Sequence, residues 1–495
     1  MLWFLVSVVA TSLTVGCAST PAPGAATKAG PSANAAASAD ASASADAGAS
    51  ANAGGSANAA AAANLVPMGV AEIDITPEEP IRLTGYGSRT VPSEGVRGRL
   101  WAKAMAFGDR DPAVLIVADL VGVPRTLTED VARRLAPARV ARAQLALSVT
   151  HTHTGPSVAG VLPHIFNSPV TPEQQAVIDR YTKTLTDKLE RVALDALASR
   201  RPARITWSLG KAGFAANRRV LKDGKWTTFG VTPGGPVDHD LPVLTVRAPE
   251  GSLRAVLVNY ACHATTLEGR DNFIHGDWPG VAKDLIQQRH PGAIAIVSIG
   301  TGADSNPSPR GGGLPDVEKN AQEVANEVDR LLSADGRPVN APPSGRFRYV
   351  DLSFAPSPTR AQWEELARKD NPSGFLARNM LQRLDRGQAV PTTVPYPVQT
   401  WTFGDSLAMV FLGGEVVADY SLRLKRELDG SRLWVNAYSN DVAFYVASQR
   451  LIPEGGYEVD GSMVYYGQPS RLADGTEDRI IGAVRDLLPA GFQRR

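Results

Sequence analysis

Apolar runs that alternate with amphipathic helices constrain the fold of this 495-residue chain more than any other feature. Beyond Met68, apolar runs predict buried strands at residues 113–119, 145–149, 255–261, 293–299, 407–412 and 433–437. Helical periodicity predicts further helices at residues 280–288, 318–332 and 417–428. The pattern is typical of an α/β fold, in which a single large domain holds a mixed, largely buried β-sheet flanked by helices.

The clearest predicted helix begins after Thr171. Thr171-Pro172-Glu173-Gln174 has the capping-box pattern, with proline at the first helical position. Apolar residues then recur at helical spacing on one face: Ile178, Tyr181, Leu185, Leu189 and Val192. Residues 358–388 also have a helical, polar pattern, and two interpretations stay open: the segment caps a site, or it decorates the edge of the domain.

Polar and titratable residues follow several of the predicted strands. They are His151-Thr152-His153-Thr154-Gly155-Pro156, Cys262-His263, Gly302-Ala303-Asp304-Ser305-Asn306-Pro307 and Gly413-Gly414-Glu415. In α/β proteins the ligand crevice lies at the carboxyl ends of strands. Two histidines and a glutamate form a common catalytic zinc set. We therefore predict a metal site at the C-terminal ends of these strands.

His151 and His153 are the most informative pair, since the whole chain has only seven histidines. Residues two apart on a strand point to the same side, so we expect both rings to face one cavity. An isolated pair of this kind is equally consistent with surface histidines at a strand end. Likewise, His263 is consistent with a hydrogen-bonded core histidine, Glu415 with a carboxylate at a helix N-terminus, and Asp304 with a turn residue.

The first 17 residues have the pattern of a signal peptide. An apolar core too short to span a bilayer is followed by a small residue and Cys17, as at a bacterial lipoprotein cleavage site. Residues 18–65 are almost only Ala, Ser, Gly, Asn and Pro and predict a disordered linker. We expect an exported lipoprotein of the cell envelope, with plain secretion as the alternative, and a folded domain over residues 66–495.

Charge and cysteine content narrow the function classes. The net charge of +1 provides no field that would attract nucleic acid or an anionic membrane. If Cys17 is lipidated, Cys262 is the remaining cysteine and no intrachain disulfide forms. Adjacent residues on a strand point to opposite faces, so Cys262 beside His263 is better explained as a small buried hydrophobe than as a nucleophile. No Gly-x-Ser-x-Gly motif lies near a predicted strand end, which disfavours a serine hydrolase.

Further motifs accompany the His-Thr-His-Thr-Gly-Pro segment along the chain. They are Gly69-Val70-Ala71-Glu72-Ile73-Asp74-Ile75-Thr76-Pro77, Thr84-Gly85-Tyr86, Asn259-Tyr260-Ala261-Cys262-His263, Gly276-Asp277-Trp278-Pro279-Gly280, Gly413-Gly414-Glu415 and Asn436-Ala437-Tyr438-Ser439. In this order they resemble the N-terminal catalytic domain of the neutral/alkaline non-lysosomal ceramidases, from about residue 66 to 470. We expect no counterpart of that family's C-terminal immunoglobulin-like domain before the chain ends at Arg495.

The resemblance implies a zinc site and the residues around it. It implies that His151, His263 and Glu415 bind zinc and that His153 lines the site. The family also uses a tyrosine ligand in a Gly-Tyr-Val segment, which corresponds to Tyr445 with Phe in place of Gly. Tyrosine is an uncommon zinc ligand, so only the resemblance suggests this residue.

The resemblance extends to substrate-binding residues and includes one departure. A second family tyrosine corresponds to Tyr457, and an arginine after an asparagine corresponds to Arg218. The family carries Gly-Asp-x-Ser-Pro-Asn with an essential serine, and alignment of its Asp and Pro places Asn306 at that serine. Ser305 then lies one residue early, on a different side of the loop. Asn306 can still donate to a developing oxyanion, but the departure weakens the expectation that ceramide is the substrate.

The leading hypothesis is a zinc-dependent hydrolase of a C–N amide bond, of the N-acylsphingosine amidohydrolase type, that uses zinc-activated water. His153 or Tyr457 would stabilise the oxyanion or protonate the leaving amine, Arg218 would orient the substrate, and Asp304 would position the loop. The alternatives are a zinc hydrolase of an ester or amide in a carbohydrate or cell-envelope substrate, and a non-catalytic surface-binding lipoprotein. The expected partners are a small-molecule or lipid-like substrate and, through the N-terminal anchor, the membrane; no nucleic acid is expected.

Overall fold

The computed structural model describes residues 65–166 and 169–494. The predicted signal peptide, Cys17 and the predicted linker up to residue 64 lie outside the described residues. Within the described ranges, no helix combines the length and the apolar character that crossing a membrane requires.

Strands and helices alternate irregularly along the described chain. The strands β1 to β19 are, in order, Val66–Asp74, Trp101–Phe107, Ala113–Ala118, Leu145–Val149, Arg201–Lys211, Ala215–Asn217, Arg219–Lys222, Lys225–Phe229, Asp240–Arg247, Leu253–Tyr260, Ile294–Ile299, Ser305–Pro307, Arg337–Val339, Ser344–Ser353, Thr393–Phe403, Leu407–Leu412, Glu415–Val416, Leu433–Asn436 and Tyr445–Val446. The α-helices α1 to α8 are Arg125–Leu135, Pro172–Ala198, Asp277–Arg289, Leu314–Leu332, Arg360–Leu366, Pro372–Asp385, Ala418–Glu427 and Thr476–Leu487.

A nine-stranded mixed sheet forms the centre of the domain, in the order β11-β10-β9-β5-β1-β2-β3-β4, with β13 paired to β5. β3 and β4 are parallel, as are β10 and β11, so each edge of the sheet ends in a parallel pair. The segment after β18 bridges these edges: Ala437 N donates to Ile299 O at 3.0 Å, and Val149 N donates to Tyr438 O at 3.2 Å. The carboxyl ends of β4 and β11 therefore lie close together.

A second sheet of four strands, β14-β15-β16-β18, covers one face of the large sheet. Trp401 and Phe411 of this sheet pack in one core with Leu115, Trp207 and Leu257 of the large sheet. Helices α2, α3 and α4 pack on the other face. The predicted α/β fold with a mixed, largely buried sheet is confirmed, but two of the predicted strands, β16 and β18, belong to the second sheet. A strand buried on both faces is apolar throughout, and its sequence does not indicate which sheet it joins.

The predicted helices are confirmed, and a capping box fixes where α2 begins. Thr171 Oγ1 accepts from Gln174 N, and the Gln174 side chain accepts from Thr171 N, so the capping box at the start of α2 forms as predicted. The polar segment 358–388 forms α5 and α6, which pack around Trp363 and Met380 in a small core of their own. Among the described residues, none of this segment lines the cavity described below, so the segment lies at the edge of the domain and does not cap the site.

Candidate metal centre and adjoining cavity

The His-Thr-His-Thr segment lies just beyond β4 and not on it. The strand ends at Val149, and His151 has φ of +54°, a left-handed conformation that is uncommon for residues other than glycine. The two rings do face each other, with His151 Nε2 and His153 Nε2 3.1 Å apart. The two rings come together, but a left-handed turn, and not the alternation of a strand, is the reason. His153 lines the cavity described below, whereas His151 is fully buried and lies outside its lining.

The threonines of this segment secure the loop from behind. Thr152 Oγ1 donates to His275 O at 2.9 Å, and Thr154 Oγ1 donates to the same carbonyl at 2.6 Å. Gly85 approaches from the other side, with φ of +103°, and a Cβ atom there would lie 2.7 Å from the His153 ring. The Thr-Gly-Tyr motif therefore packs directly against the His-Thr-His-Thr loop and fixes the position of the His153 ring.

His263 follows β10 and is held by the Gly-Asp-Trp-Pro-Gly motif. Trp278 Nε1 donates to His263 O at 2.9 Å. The buried carboxylate of Asp277 accepts from the backbone N–H groups of Leu267 at 2.9 Å and Trp278 at 2.6 Å. This motif, at the start of α3, therefore fixes the loop on which His263 lies. Cys262 is fully buried, and burial raises the pKa of its thiol, as expected of a small hydrophobe and not of a nucleophile.

Glu415 follows β16 and lies next to His151 and His263. It lies in β17, which pairs in parallel with β19 so that Glu415 stands opposite Tyr445. Glu415 Oε2 lies 3.0 Å from His151 Nε2 and 3.1 Å from His263 Nε2. Its other oxygen, Oε1, accepts a hydrogen bond from the Tyr466 hydroxyl. We call His151, His263 and Glu415 the metal cluster.

The hydrogen bonds of the metal cluster fit a bound cation. His151 Nδ1 lies 2.6 Å from Val121 O and His263 Nδ1 2.8 Å from Gly302 O, so both Nδ1 atoms act as donors. In a neutral imidazole the Nε2 atoms are then bare acceptors. Glu415 Oε2 therefore faces two lone pairs, and among the described residues this buried oxygen has no hydrogen-bond donor. Three acceptors that converge without a proton are the arrangement that a divalent metal ion satisfies.

The local electrostatics keep these acceptors available. Burial and the nearby Arg218 lower the pKa of His263 to about 4, which keeps the ring neutral. Burial and His151 lower the pKa of His153 well below its usual value. Burial by itself would raise the pKa of Glu415, but the adjacent His151 and His263 hold it well below the usual range. His151, His153 and His263 present ring nitrogens within 4.8 Å of one another, a grouping that can hold a metal ion.

Tyr445 and Arg218 lie beside the metal cluster, where the resemblance predicts them. The Tyr445 hydroxyl lies 3.4 Å from His263 Nε2 and accepts from Arg218 Nη2 at 3.2 Å. Arg218 Nε donates to Glu458 Oε1 at 2.8 Å, and Arg218 Nη1 lies 3.3 Å from His263 Nε2. Burial opposes the charge on Arg218, but Tyr445 and Glu458 raise the pKa of its guanidinium well above the usual value.

A cavity of about 220 Å³ opens beside the metal cluster. Its walls bring together most of the predicted site residues with several that the sequence did not indicate: Gly85, Tyr86, Gly87, His153, Ile165, Arg218, Phe229, Thr265, Asn306, Arg310, Tyr445, Tyr457 and Tyr465. Tyr457 packs edge-on against Tyr445, with ring centroids 5.4 Å apart. The predicted proximity of His153, Arg218 and Tyr457 is therefore present in the structure.

The loop after β11 divides its residues between the cavity and the protein interior. Asn306 lines the cavity and accepts from Arg218 Nη1 at 3.3 Å, whereas the fully buried Ser305 lies outside the lining. Asp304 is buried behind the loop and accepts from Ala418 N at 2.9 Å and from Asn217 Nδ2 at 3.1 Å. Burial raises the pKa of Asp304 to about 6. Asp304 therefore joins this loop to the N-terminus of α7, next to Glu415, and has no contact with the cavity.

Several residues that support the site were missed by the sequence analysis. Tyr466 holds Glu415, Glu458 holds Arg218 and Arg219, and the Tyr438 ring packs on His151 with centroids 4.2 Å apart. Tyr438 lies in the Asn-Ala-Tyr-Ser motif, which was a usable signal. Glu458 lies in the short π-helix Tyr457–Gly461 and Tyr466 in a turn beyond it, with no recognisable spacing to their partners, so only the folded chain identifies them.

Comparisons with known proteins agree with this geometry. Residues 67–297 match the family model of the neutral/alkaline non-lysosomal ceramidase N-terminal domain. No curated protein sequence matches the chain. A solved structure of a ceramidase complexed with C2 shares 17% sequence identity, with a TM-score of 0.65 over 87% of this chain and 77% of that chain. A neutral ceramidase from Pseudomonas aeruginosa shares 18% identity, with a TM-score of 0.62 over 87% of this chain and 76% of that chain.

At these identities the solved structures show a common fold, and the family model adds the match in sequence. The match covers β1 to β10 and most of β11, with the loops that carry His151 and His263. The predicted resemblance is therefore confirmed: the chain is similar to the neutral/alkaline non-lysosomal ceramidases in the sequence of residues 67–297 and in fold over most of its length.

Proposed function

We propose that the protein is a zinc-dependent hydrolase of a C–N amide bond. The observation that carries the proposal is the convergence of His151 Nε2, His263 Nε2 and Glu415 Oε2 beside a cavity. Two imidazole nitrogens and a carboxylate oxygen suit zinc and leave room for further ligands. The similarity to ceramidases, which are amidohydrolases, supports an amide as the bond that is cleaved.

The proposed zinc site uses His151, His263 and Glu415, with Tyr445 as the fourth residue. Zinc bound there supplies a lowered pKa for a water molecule and polarises a carbonyl group. The backbone carbonyls of Val121 and Gly302 orient the two histidine rings and keep their Nε2 atoms free of protons.

His153 is assigned to proton transfer rather than to the metal. Among the described residues its Nδ1 atom has no hydrogen-bond partner, whereas backbone carbonyls hold the Nδ1 atoms of His151 and His263. A ring that lines the cavity and is neutral can accept a proton at one nitrogen and later deliver it to a leaving amine. Arg218, Asn306 and Tyr457 line the same cavity and present donors that can bind the substrate carbonyl oxygen as its charge develops.

Zinc content and amide hydrolysis of a His263→Ala variant test this proposal together. Removal of this imidazole should abolish stoichiometric zinc and hydrolysis, because the metal cluster loses one of its two imidazole ligands. His290→Ala is the matched control, since His290 directly follows the C-terminal end of α3 and pairs with Asp329. A His263→Ala protein that keeps wild-type zinc and activity would contradict the assignment.

A second candidate function keeps the metal site and changes the substrate to an ester or amide of a carbohydrate or cell-envelope molecule. Two observations favour it: Asn306 stands at the position of the family serine, and the cavity is smaller than the roughly 300–1,000 Å³ usual for drug-sized ligands. Incubation with a fluorescent N-acyl sphingosine separates the two candidates. Release of the fatty acid supports the ceramidase-type function, and its absence in an enzyme that hydrolyses other acyl compounds supports the second.

We further propose, from residues 1–17 alone, that the enzyme is exported and held at the cell envelope by a lipid on Cys17. A Cys17→Ala variant should then leave the membrane fraction. An unchanged distribution between membrane and soluble fractions would contradict lipid anchoring.

A further inference from the structure

Arg310 is half-buried and lines the cavity with a guanidinium that has no ion-pair partner among the described residues. Its Nε donates to Thr265 O at 3.0 Å, and its two terminal nitrogens have no hydrogen-bond or ion-pair partner among the described residues. Arg218, the other guanidinium of the wall, differs because it is paired with Glu458. A guanidinium is always charged at neutral pH and is suited to bind carboxylate or phosphate oxygens through two parallel hydrogen bonds.

Asn306 contributes a second donor on the same wall. Its Oδ1 accepts from Arg218 Nη1 at 3.3 Å and from Thr265 Oγ1 at 3.4 Å. Arginine can only donate, so the side-chain atom that faces Arg218 is the oxygen, which fixes the orientation of the amide. The Nδ2 atom is then directed away from these partners and, among the described residues, has none of its own. Asn306 therefore offers N–H groups to a molecule in the cavity.

These residues form a continuous row that leads away from the metal cluster. Arg218 lies 3.3 Å from His263 and bonds Asn306, which bonds Thr265, whose carbonyl accepts from Arg310. We call Arg218, Asn306, Thr265 and Arg310 the donor wall. In the described chain, no Asp or Glu belongs to the cavity lining. The donor wall thus presents positive charge and N–H groups, with Arg218 at the end that contacts His263 and Arg310 at the other end of the chain of contacts.

We infer that the substrate carries an anionic oxygen group a short distance from the bond that is cleaved, and that Arg310 binds this group. The inference rests on the proposed amidohydrolase function and names its substrate class: acylated amines with a carboxylate or phosphate near the amide, such as N-acyl amino acids. A neutral substrate that displaces water from the half-buried Arg310 replaces none of its hydrogen bonds, which costs binding energy. The modest volume of the cavity agrees with a short charged head group inside it and an acyl chain that leaves it.

Three substrates with one acyl chain test the inference: N-dodecanoylglycine, N-dodecanoyl-O-phosphoethanolamine and the neutral N-dodecanoylethanolamine. For the wild-type enzyme, kcat/KM for one of the charged substrates should exceed that for the neutral one by about 10- to 100-fold, the range of a charged hydrogen bond. Which charged substrate is preferred distinguishes carboxylate from phosphate. Arg310→Gln should reduce this ratio to near one, mainly through KM, and Arg310→Lys should reduce it partly. Arg110→Gln, at an exposed position remote from the cavity, is the control.

A binding measurement separates failure of this inference from failure of the proposed function. N-Dodecylsulfonylglycine and its neutral ethanolamine analogue resemble the substrates, but their sulfonamide bond resists hydrolysis. Tighter binding of the charged analogue to wild type, and loss of that preference in Arg310→Gln, supports the inference even if no amide is hydrolysed. Equal binding of the two analogues, or a preference that survives in Arg310→Gln, would overturn it whatever the activity.

Discussion

The metal cluster and the donor wall meet at Arg218 but are built on opposite principles. In the metal cluster, backbone carbonyls hold both Nδ1 atoms and Tyr466 holds Glu415 Oε1, so that only lone pairs converge. In the donor wall, Arg310 and Asn306 have N–H groups without partners among the described residues. The metal cluster lies where the family resemblance predicts it, whereas the donor wall contains Asn306, the departure from the family. The proposed amide hydrolysis therefore rests on the region that resembles the ceramidases, and the proposed anionic substrate rests on the region that departs from them.

Removal of one ligand of the metal cluster should have the largest effect. Glu415→Gln replaces the carboxylate with a neutral amide, which binds zinc poorly. We expect loss of zinc and a decrease in kcat/KM of about 10³-fold or more, because several kcal/mol of charge stabilisation depend on the metal. Zinc content and hydrolysis rate measure this, with the exposed Glu318→Gln as control. Full zinc content in Glu415→Gln would remove this residue from the site.

Replacement of Asn306 tests whether the donor wall took over the task of the family serine. Asn306→Ala should lower kcat by about 10²-fold, the cost of one lost donor to a developing oxyanion. Ser305→Ala should keep wild-type kcat, because this serine is buried on the other side of the loop and outside the cavity. The reverse result, with a large loss in Ser305→Ala alone, would mean that the serine acts from its shifted position.

The support of Glu415 by Tyr466 should have a smaller effect. Tyr466→Phe removes the donor to Glu415 Oε1 and leaves the ring in place. We expect a loss of zinc affinity of about 10- to 100-fold, as is usual for a partner that orients a ligand, measured by competition with a chelator. Tyr349→Phe, which removes a hydroxyl bonded to Glu129 at the surface, should leave zinc affinity at the wild-type value. Equal affinities in both variants would make Tyr466 a packing residue.

The smallest expected effect is on the pKa of His263, beside Arg218, where the metal cluster and the donor wall meet. Because the pKa of His263 is about 4, its ring stays neutral at any pH above that value. In that range protons do not compete with a metal ion for the Nε2 atom. An NMR titration of the metal-free protein should therefore show a midpoint for His263 far below that of an exposed histidine. Arg218→Gln should raise the His263 pKa, since a nearby positive charge is removed. An ordinary midpoint near 6.5 in wild type would contradict the burial and charge that we describe.

Local patterns in the sequence were sufficient to predict the secondary-structure elements and the polar residues that follow the strands. The strands at residues 145–149 and 407–412 form with the predicted bounds, and the capping box at Thr171 forms as expected, because period and capping are local properties. His151, His263 and Glu415 were predicted at strand ends and converge there. The separation of β16 and β18 into a second sheet was not predictable, since apolar strands do not specify their partners.

What the sequence alone determined is a set of candidate ligands, histidines and a glutamate after successive strands, to which the family resemblance added a tyrosine and one asparagine in place of a serine. Only the tertiary structure decided the geometry. The left-handed turn at His151 is held by its hydrogen bond to Val121 and by the threonine contacts to His275, and Arg310 has no ion-pair partner in its cavity because no carboxylate of the described chain lines it. Contacts of this kind join residues far apart in the chain, and no local pattern carries them.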